Sequence, residues 1–305
     1  MSSDKRNENS FLVSDQDAPV FVRGLSRSGG TLLVTLLDAH PEIAMSYELY
    51  PTLLKSIDSP SSLESFLNIL LQGRSNKVVS KELADRNLNV FFARAQRGGL
   101  NHRVLGQLVS KLRHEIGKFD DDQWRFKLIE LCAKQKMKNE GKSFWGLKCN
   151  NSYKAYSQAW PRARFINIIR DGRDVLASQQ NTGSFEAVPE AVAKSWKSTH
   201  LRFREFTRDQ PARGLEIRYE ELVQSPLDQL KKITRFLNLD FNSSMLAHSK
   251  ENLTLFQSSH LSLNEVKKPI NDGKVGRWKK DLTESDLKLF LSVAQDTLLE
   301  FGYEV

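Results

Sequence analysis

Two cysteines, Cys132 and Cys149, are all that 305 residues contain. So small a number builds no disulfide framework and no thiolate metal cluster, and it fits a reducing compartment. Six histidines are present, none in an H-x-H or H-E-x-x-H spacing, so no metal is assigned. No window approaches the roughly 20 apolar residues of a membrane span. The N-terminal MSSDKRNENSFLVSDQD has no apolar segment of the secretory type. It reads as a disordered tail over residues 1–17, ahead of one domain over 18–305, and the expected location is cytoplasmic. Repeats, low-complexity tracts and Pro/Gly-rich linkers are also missing. Charge is not short: 45 basic residues stand against 37 acidic, a net +8. That excess favours an anionic ligand but is too diffuse to imply nucleic acid.

The most informative stretch is Pro19–Leu37, PVFVRGLSRSGGTLLVTLL. An apolar run at Val20–Val22 meets a glycine-rich turn that opens into an apolar helix pattern, the order of a phosphate-binding P-loop. Gly24 and Gly29 have the P-loop spacing, and Thr31 stands at the hydroxyl position. Gly30, however, occupies the place of the lysine that contacts the outer phosphates of ATP or GTP, and the cation is Arg27, within the loop. Unpaired N–H groups at a helix start bind oxyanions. Glycines at 24, 29 and 30 are expected to let the backbone take positive φ and approach a ligand closely. Ser26, Ser28 and Thr31 add hydroxyls, and Arg27 adds a forked donor. The bland alternative is a strand-to-helix turn that binds nothing.

Further along, residues 61–140 show three-to-four apolar spacing in SSLESFLNILLQ, LADRNLNVFFARA, NHRVLGQLVSKLRHEI and DDQWRFKLIELCAKQKM. The region reads as a helical insertion, about 50–140. Ile43–Met45 is a short strand or a loop, and SFWGLKC is an apolar strand pattern. Ala163–Ile169 is a buried parallel strand, Arg170–Gly172 a turn, and a helix starts near Arg173. GLEIRYEELV repeats the unit, with a strand at Leu215–Ile217 and a turn at Arg218–Tyr219. Recurring strand–turn–helix units predict an α/β fold with a parallel sheet. The loops after residues 22, 148, 169 and 217 are then expected to converge on one cleft, beyond the strands' carboxyl ends.

With both loops read, the chain resembles the sulfotransferases that use 3′-phosphoadenosine 5′-phosphosulfate (PAPS). FVRGLSRSGGTLLVTLLDAHPEI resembles their 5′-phosphosulfate loop, closest to the version of bacterial and tyrosylprotein-type enzymes. ARFINIIRDGRDVLASQ resembles their 3′-phosphate element, and EIRYEELVQSP and VGRWKKDLTESD resemble two later segments. The resemblance implies a P-loop-like sulfotransferase fold carrying the helical insertion, with PAPS as co-substrate, 3′-phosphoadenosine 5′-phosphate (PAP) as product, and no metal. Arg27, Ser28, Gly29, Gly30 and Thr31 would hold the 5′-phosphosulfate. Arg170 and Ser178, eight residues apart, would hold the 3′-phosphate, with Tyr219 near the adenine and Trp278 and Lys279 in the closing segment.

For catalysis, the resemblance implies a base, a cation at the leaving oxygen, and placement of both reactants. Cytosolic relatives carry a histidine two residues after a lysine. Here Lys148 keeps the lysine, but Asn150 stands at the histidine position, and an amide cannot accept a proton. Glu48, in DAHPEIAMSYELY, matches the tyrosylprotein-type base. The expected catalytic set is therefore Glu48, Lys148 and Arg27. His200, in KSWKSTH, reads as a helix-face histidine rather than a ligand. The expected acceptor is a hydroxyl or amine on a small molecule or glycan, with a carbohydrate ahead of protein tyrosine by analogy with the family. Two other classes stand beside this reading: a basic polyanion-binding protein with a vestigial nucleotide cleft, and a small-molecule P-loop kinase. The missing loop lysine speaks against the kinase.

Overall fold

The structure, a computed structural model, describes residues 18–117, 119, 122–149, 153–183, 187–250 and 267–305. The expected tail over residues 1–17 and the Asn150 position lie outside them. The described chain forms two compact units that interleave in sequence. One is built on Glu42–Ala163; the other combines Val20–Pro41 with the described residues from Arg164 onward.

The second unit is a set of strand–turn–helix repeats. Strand β1 (Val20–Arg23) leads through the glycine loop to α1 (Gly30–Asp38). Strand β4 (Arg164–Ile169) leads to α8 (Gly172–Thr182) and α9 (Pro189–Arg208), and β5 (Gly214–Arg218) to α10 (Tyr219–Gln224) and α11 (Pro226–Phe236). These three strands pair in parallel, with β4 between β1 and β5; Val20 faces Arg164, and Phe165 faces Gly214. Strands β1 and β4 are buried along almost their whole length, as expected when helices cover both faces of a parallel sheet. A C-terminal helix, Glu284–Glu300, closes one side. Its Phe290, Ala294 and Leu298 join Trp196, Val175 and Leu176 in one buried cluster. Burying each large apolar side chain contributes roughly 1.5–3 kcal/mol before entropy is counted. Trp196 also donates its indole N–H to the carbonyl of Arg170 at 2.8 Å, so the core fixes the backbone at the end of β4.

The first unit carries β2 (Ile43–Tyr47) and β3 (Phe144–Lys148), paired in parallel so that Tyr47 faces Lys148. Ile43–Met45 is thus a strand, two residues longer than its apolar core. Between these strands lie α2 (Pro60–Gln72), α3 (Asn76–Glu82), α4 (Arg86–Arg97), α5 (His102–Arg113) and α6 (Gln123–Asn139); α7 (Tyr153–Ala159) follows β3. Caps set the helix starts: Ser59 forms a capping box with Ser62, and Ser75, Asp85 and Asn101 accept N–H bonds at the next three. The insertion is helical as expected. Helix α3 escapes the periodicity because it is seven residues long with only Val79 buried. Trp145, Tyr156, Trp160 and Phe126 interlock, with ring centroids 5.4–5.8 Å apart, behind β3.

Candidate functional site

In the second unit, the loop between β1 and α1 has an unusual backbone. Arg27 sits at φ 75° and Gly29 at φ 91°; Gly24 and Gly30 are not among the positive-φ residues. The expectation of three glycines needed for backbone twist therefore holds at Gly29 alone. Gly24 is required by space instead, since a Cβ there would lie 2.6 Å from Ile168 Cγ2. Gly29 is required twice over, because a Cβ would also meet the Tyr219 ring at 2.4 Å. Helix α1 has no side-chain cap at its N-terminus. Immediately before it, the Ser28 hydroxyl is fully buried and has no hydrogen-bond partner among the described residues. A buried orphan hydroxyl costs about 1–3 kcal/mol unless something pairs with it.

Arg27, Arg170, Ser178 and Tyr219 come together around this loop. Arg27 donates its Nε–H to Ser178 Oγ at 3.1 Å, and Arg170 donates to the Arg27 carbonyl at 3.2 Å. The Arg170 guanidinium lies over the Tyr219 ring, 4.6 Å from its centroid. Buried as it is, Arg170 keeps one N–H, Nε, with no partner among the described residues. The loops after residues 22, 169 and 217 thus converge as expected; the end of β3, with Lys148, belongs to the first unit. The two orphan donors, Ser28 Oγ and Arg170 Nε, sit at the two positions expected to bind separate phosphate groups. The second unit fits a ligand with two anionic ends.

One residue that organises this cluster was missed in the sequence. Asp174, fully buried on α8, accepts the backbone N–H of Gly276 at 2.9 Å and of Trp278 at 3.0 Å, and pairs with Arg170 at 3.3 Å. Burial pushes its carboxyl pKa up, against the Arg170 charge and the two amides. Arg170 also donates to the carbonyl of Lys274. The segment 274–278 is thereby tied to the arginine expected to hold the 3′-phosphate. Trp278 stacks beneath Arg173, 4.0 Å from its guanidinium carbon. Lys279 is exposed, with its ammonium 5.8 Å from the Trp278 ring, while Arg277 pairs with Asp281. The signal was available: Asp174 stands four residues after Arg170, one helical turn. Thr31, the second residue of α1, accepts a bond from the Thr35 hydroxyl through its carbonyl. His200 is buried on α9, with its Nδ1 against the Asn167 side-chain amide. Among the described residues, no three His, Cys, Asp or Glu side chains gather as metal ligands.

In the first unit, Glu48 lies just past β2 with φ 54°, a left-handed conformation costing a residue with a Cβ roughly 1 kcal/mol. Lys148 Nζ contacts Glu48 Oε1 at 2.8 Å, with Lys148 paired in register to Tyr47, the residue before Glu48. Arg94 contacts Glu48 Oε2 at 2.9 Å and also donates to the Glu48 carbonyl at 2.6 Å. Only three non-glycine residues among those described have positive φ: Arg27, Glu48 and Asn238. Two of the three are expected catalytic residues, where strain concentrates.

Comparison with known proteins identifies the family. The model of the Sulfotransferase family matches residues 19–243, well over half the chain. The protein-tyrosine sulfotransferase of Drosophila melanogaster is 24% identical over 89% of this chain, which spans 49% of that relative's length. Protein-tyrosine sulfotransferase A of Caenorhabditis elegans is 22% identical over 93% of this chain and 67% of its own length. Among solved structures, the sulfotransferase domain of the Synechococcus PCC 7002 olefin synthase superposes with a TM-score of 0.61 at 17% identity, covering 96% of this chain and 98% of that domain. The sulfotransferase domain from the curacin biosynthetic pathway gives 0.59 at 18% identity, with 96% and 100% covered. Those structures share the P-loop-like sulfotransferase fold, and with the family match over residues 19–243 this chain belongs to the sulfotransferase family.

Proposed function

We propose that this sulfotransferase takes its sulfuryl group from PAPS and passes it to a phenolic hydroxyl, in the first instance that of a peptide tyrosine. The observation that carries the donor assignment is the pair of buried orphan donors, Ser28 Oγ and Arg170 Nε, beside Arg27 and an uncapped helix start. A nucleotide with a 5′-phosphosulfate and a 3′-phosphate presents two anionic ends to such a pair. Ser28, Arg27 and the first N–H groups of α1 hold the 5′ end; Arg170 and Ser178 hold the 3′-phosphate, and Asp174 keeps the 274–278 segment against Arg170.

Chemically, an acceptor oxygen forms a bond to sulfur as the bond from sulfur to the phosphate oxygen breaks. Glu48 takes the acceptor's proton, and Lys148 and Arg27 offset the charge gathering on the leaving oxygen. By analogy with phosphoryl transfer, placement and electrostatics carry most of the rate. The named relatives act on protein tyrosine, which supports a phenol ahead of the carbohydrate favoured by family habit.

Calorimetry with PAP, ADP and magnesium ATP tests the donor. The expected result is PAP binding at least about tenfold tighter than ADP, since a charge-assisted hydrogen-bond set is lost with the 3′-phosphate. Equal or tighter binding of magnesium ATP would overturn the assignment in favour of a kinase. Labelled sulfate transfer to a tyrosine peptide, to the same peptide with Tyr→Phe, and to a sulfatable oligosaccharide tests the acceptor. Transfer to the sugar alone restores the carbohydrate.

A further inference from the structure

The carboxylate assigned as base is held by a residue from far away in the chain. Arg94 sits in the last turn of α4, three residues after the fully buried Phe91 and one before the buried Ala95. Residues three apart share a helix face, so the face that anchors α4 also aims the arginine. One guanidinium then makes two contacts with a single residue, to Glu48 Oε2 at 2.9 Å and to the Glu48 carbonyl at 2.6 Å. It also lies over the Tyr50 ring at 5.3 Å, so it spans the segment from 48 to 50. The backbone it grips is the left-handed one at φ 54°. On the other side Lys148 holds Oε1 at 2.8 Å.

We propose that Arg94, delivered by the helical insertion, is the positioning residue of the general base, fixing both the strained backbone and the carboxylate direction of Glu48. The proposal rests on Glu48 being the base. A planar fork can bind carbonyl and carboxylate together, whereas a lysine offers one ammonium centre and satisfies them less well. The insertion then does more than wall an acceptor pocket: it completes the base, and the acceptor side cannot work if α4 is lost or shifted.

The test combines a double-mutant cycle with hydrogen exchange on the full chain. Turnover is measured for wild type, Arg94→Ala, Arg94→Lys, Glu48→Gln and the Arg94→Ala/Glu48→Gln pair, with labelled PAPS and the acceptor on which wild type is active. PAP affinity and melting temperature are recorded for each. The expectation for Arg94→Ala is a loss of kcat of about 10- to 100-fold, set by a misplaced proton acceptor, with PAP affinity within about twofold of wild type. Arg94→Lys recovers part of it. In the Glu48→Gln background Arg94→Ala costs nothing further, because an arginine acting through the carboxylate has nothing left to position. Amide exchange in peptides covering residues 43–54 rises in Arg94→Ala. An equal loss in both backgrounds shows Arg94 acting elsewhere and overturns the proposal, as does unchanged exchange over 43–54. If Glu48→Gln itself turns over at the wild-type rate, the base assignment fails; if Glu48→Gln is impaired while Arg94→Ala is not, only the role of Arg94 fails.

Discussion

The cluster around Arg170 and the cluster around Glu48 are both built from cations, buried backbone and one strained residue, yet they are assembled in opposite ways. In the second unit three of the four clustered residues stand just after a strand: Arg170 follows β4 directly, Tyr219 follows β5, and Arg27 comes four residues after β1, while Ser178 lies on the helix that follows β4. A parallel sheet puts those ends side by side, so local pattern suffices to place them. In the first unit only Glu48 and Lys148 follow that rule. The third member, Arg94, arrives on a helix 46 residues downstream, with no motif marking it. Where position follows from strand ends, sequence is a good guide; where it follows from helix docking, it is not.

Four experiments bear on that contrast. The largest expected effect is on Glu48→Gln, which lowers kcat by about 10²–10⁴-fold, the usual value of a positioned base, while leaving PAP affinity near wild type. Steady-state kinetics with calorimetry separates the two readings, and a parallel drop in PAP affinity would dissolve the division of labour. Next, Arg170→Ala weakens PAP binding by about 100-fold, the loss of a buried charge-assisted contact of roughly 3 kcal/mol. Calorimetry with ADP should show a much smaller change, because the effect belongs to the 3′-phosphate.

The third concerns acid stability of the second unit. Burial, aided by the Arg23 and Arg204 charges, lowers the His200 pKa to about 3. The unfolded chain protonates this histidine near 6.5, so from about pH 6.5 down to about 3 the unfolded state binds more protons and stability falls with falling pH. The slope from this group is about 1.4 kcal/mol per pH unit at most. Urea melts of wild type and His200→Gln between pH 4 and 7 check it, and the variant should lose that part of the slope. The smallest effect is on Gly29→Ala, whose φ of 91° and 2.4 Å approach to Tyr219 together predict about 1–3 kcal/mol of destabilisation. Chemical denaturation measures it, and a neutral result would mean that Tyr219 moves aside.

Several elements were legible before the structure because their signals are local. The P-loop spacing, the β4 strand and the Arg170–Ser178 interval each depend on residues within a dozen positions of one another. Asp174 was equally local but ambiguous, since an i+4 aspartate after an arginine looks like a surface ion pair until burial and two backbone amides are seen. Helix α3 stayed hidden because one buried valine makes no periodicity. The roles of Gly24 and Gly29 could not be told apart, because one answers to Ile168 and the other to φ and Tyr219, contacts made only in the fold.

What the chain determined by itself is the family, the strand–loop–helix frame and which residues stand in the glycine loop and at the strand ends, because those features encode their own geometry. Tertiary structure alone decided that Asp174 ties the closing segment to Arg170 and that Arg94 grips Glu48. Both depend on packing between segments distant in sequence, where the burial of Phe91 or Trp196, rather than any local pattern, sets the direction of a charged side chain.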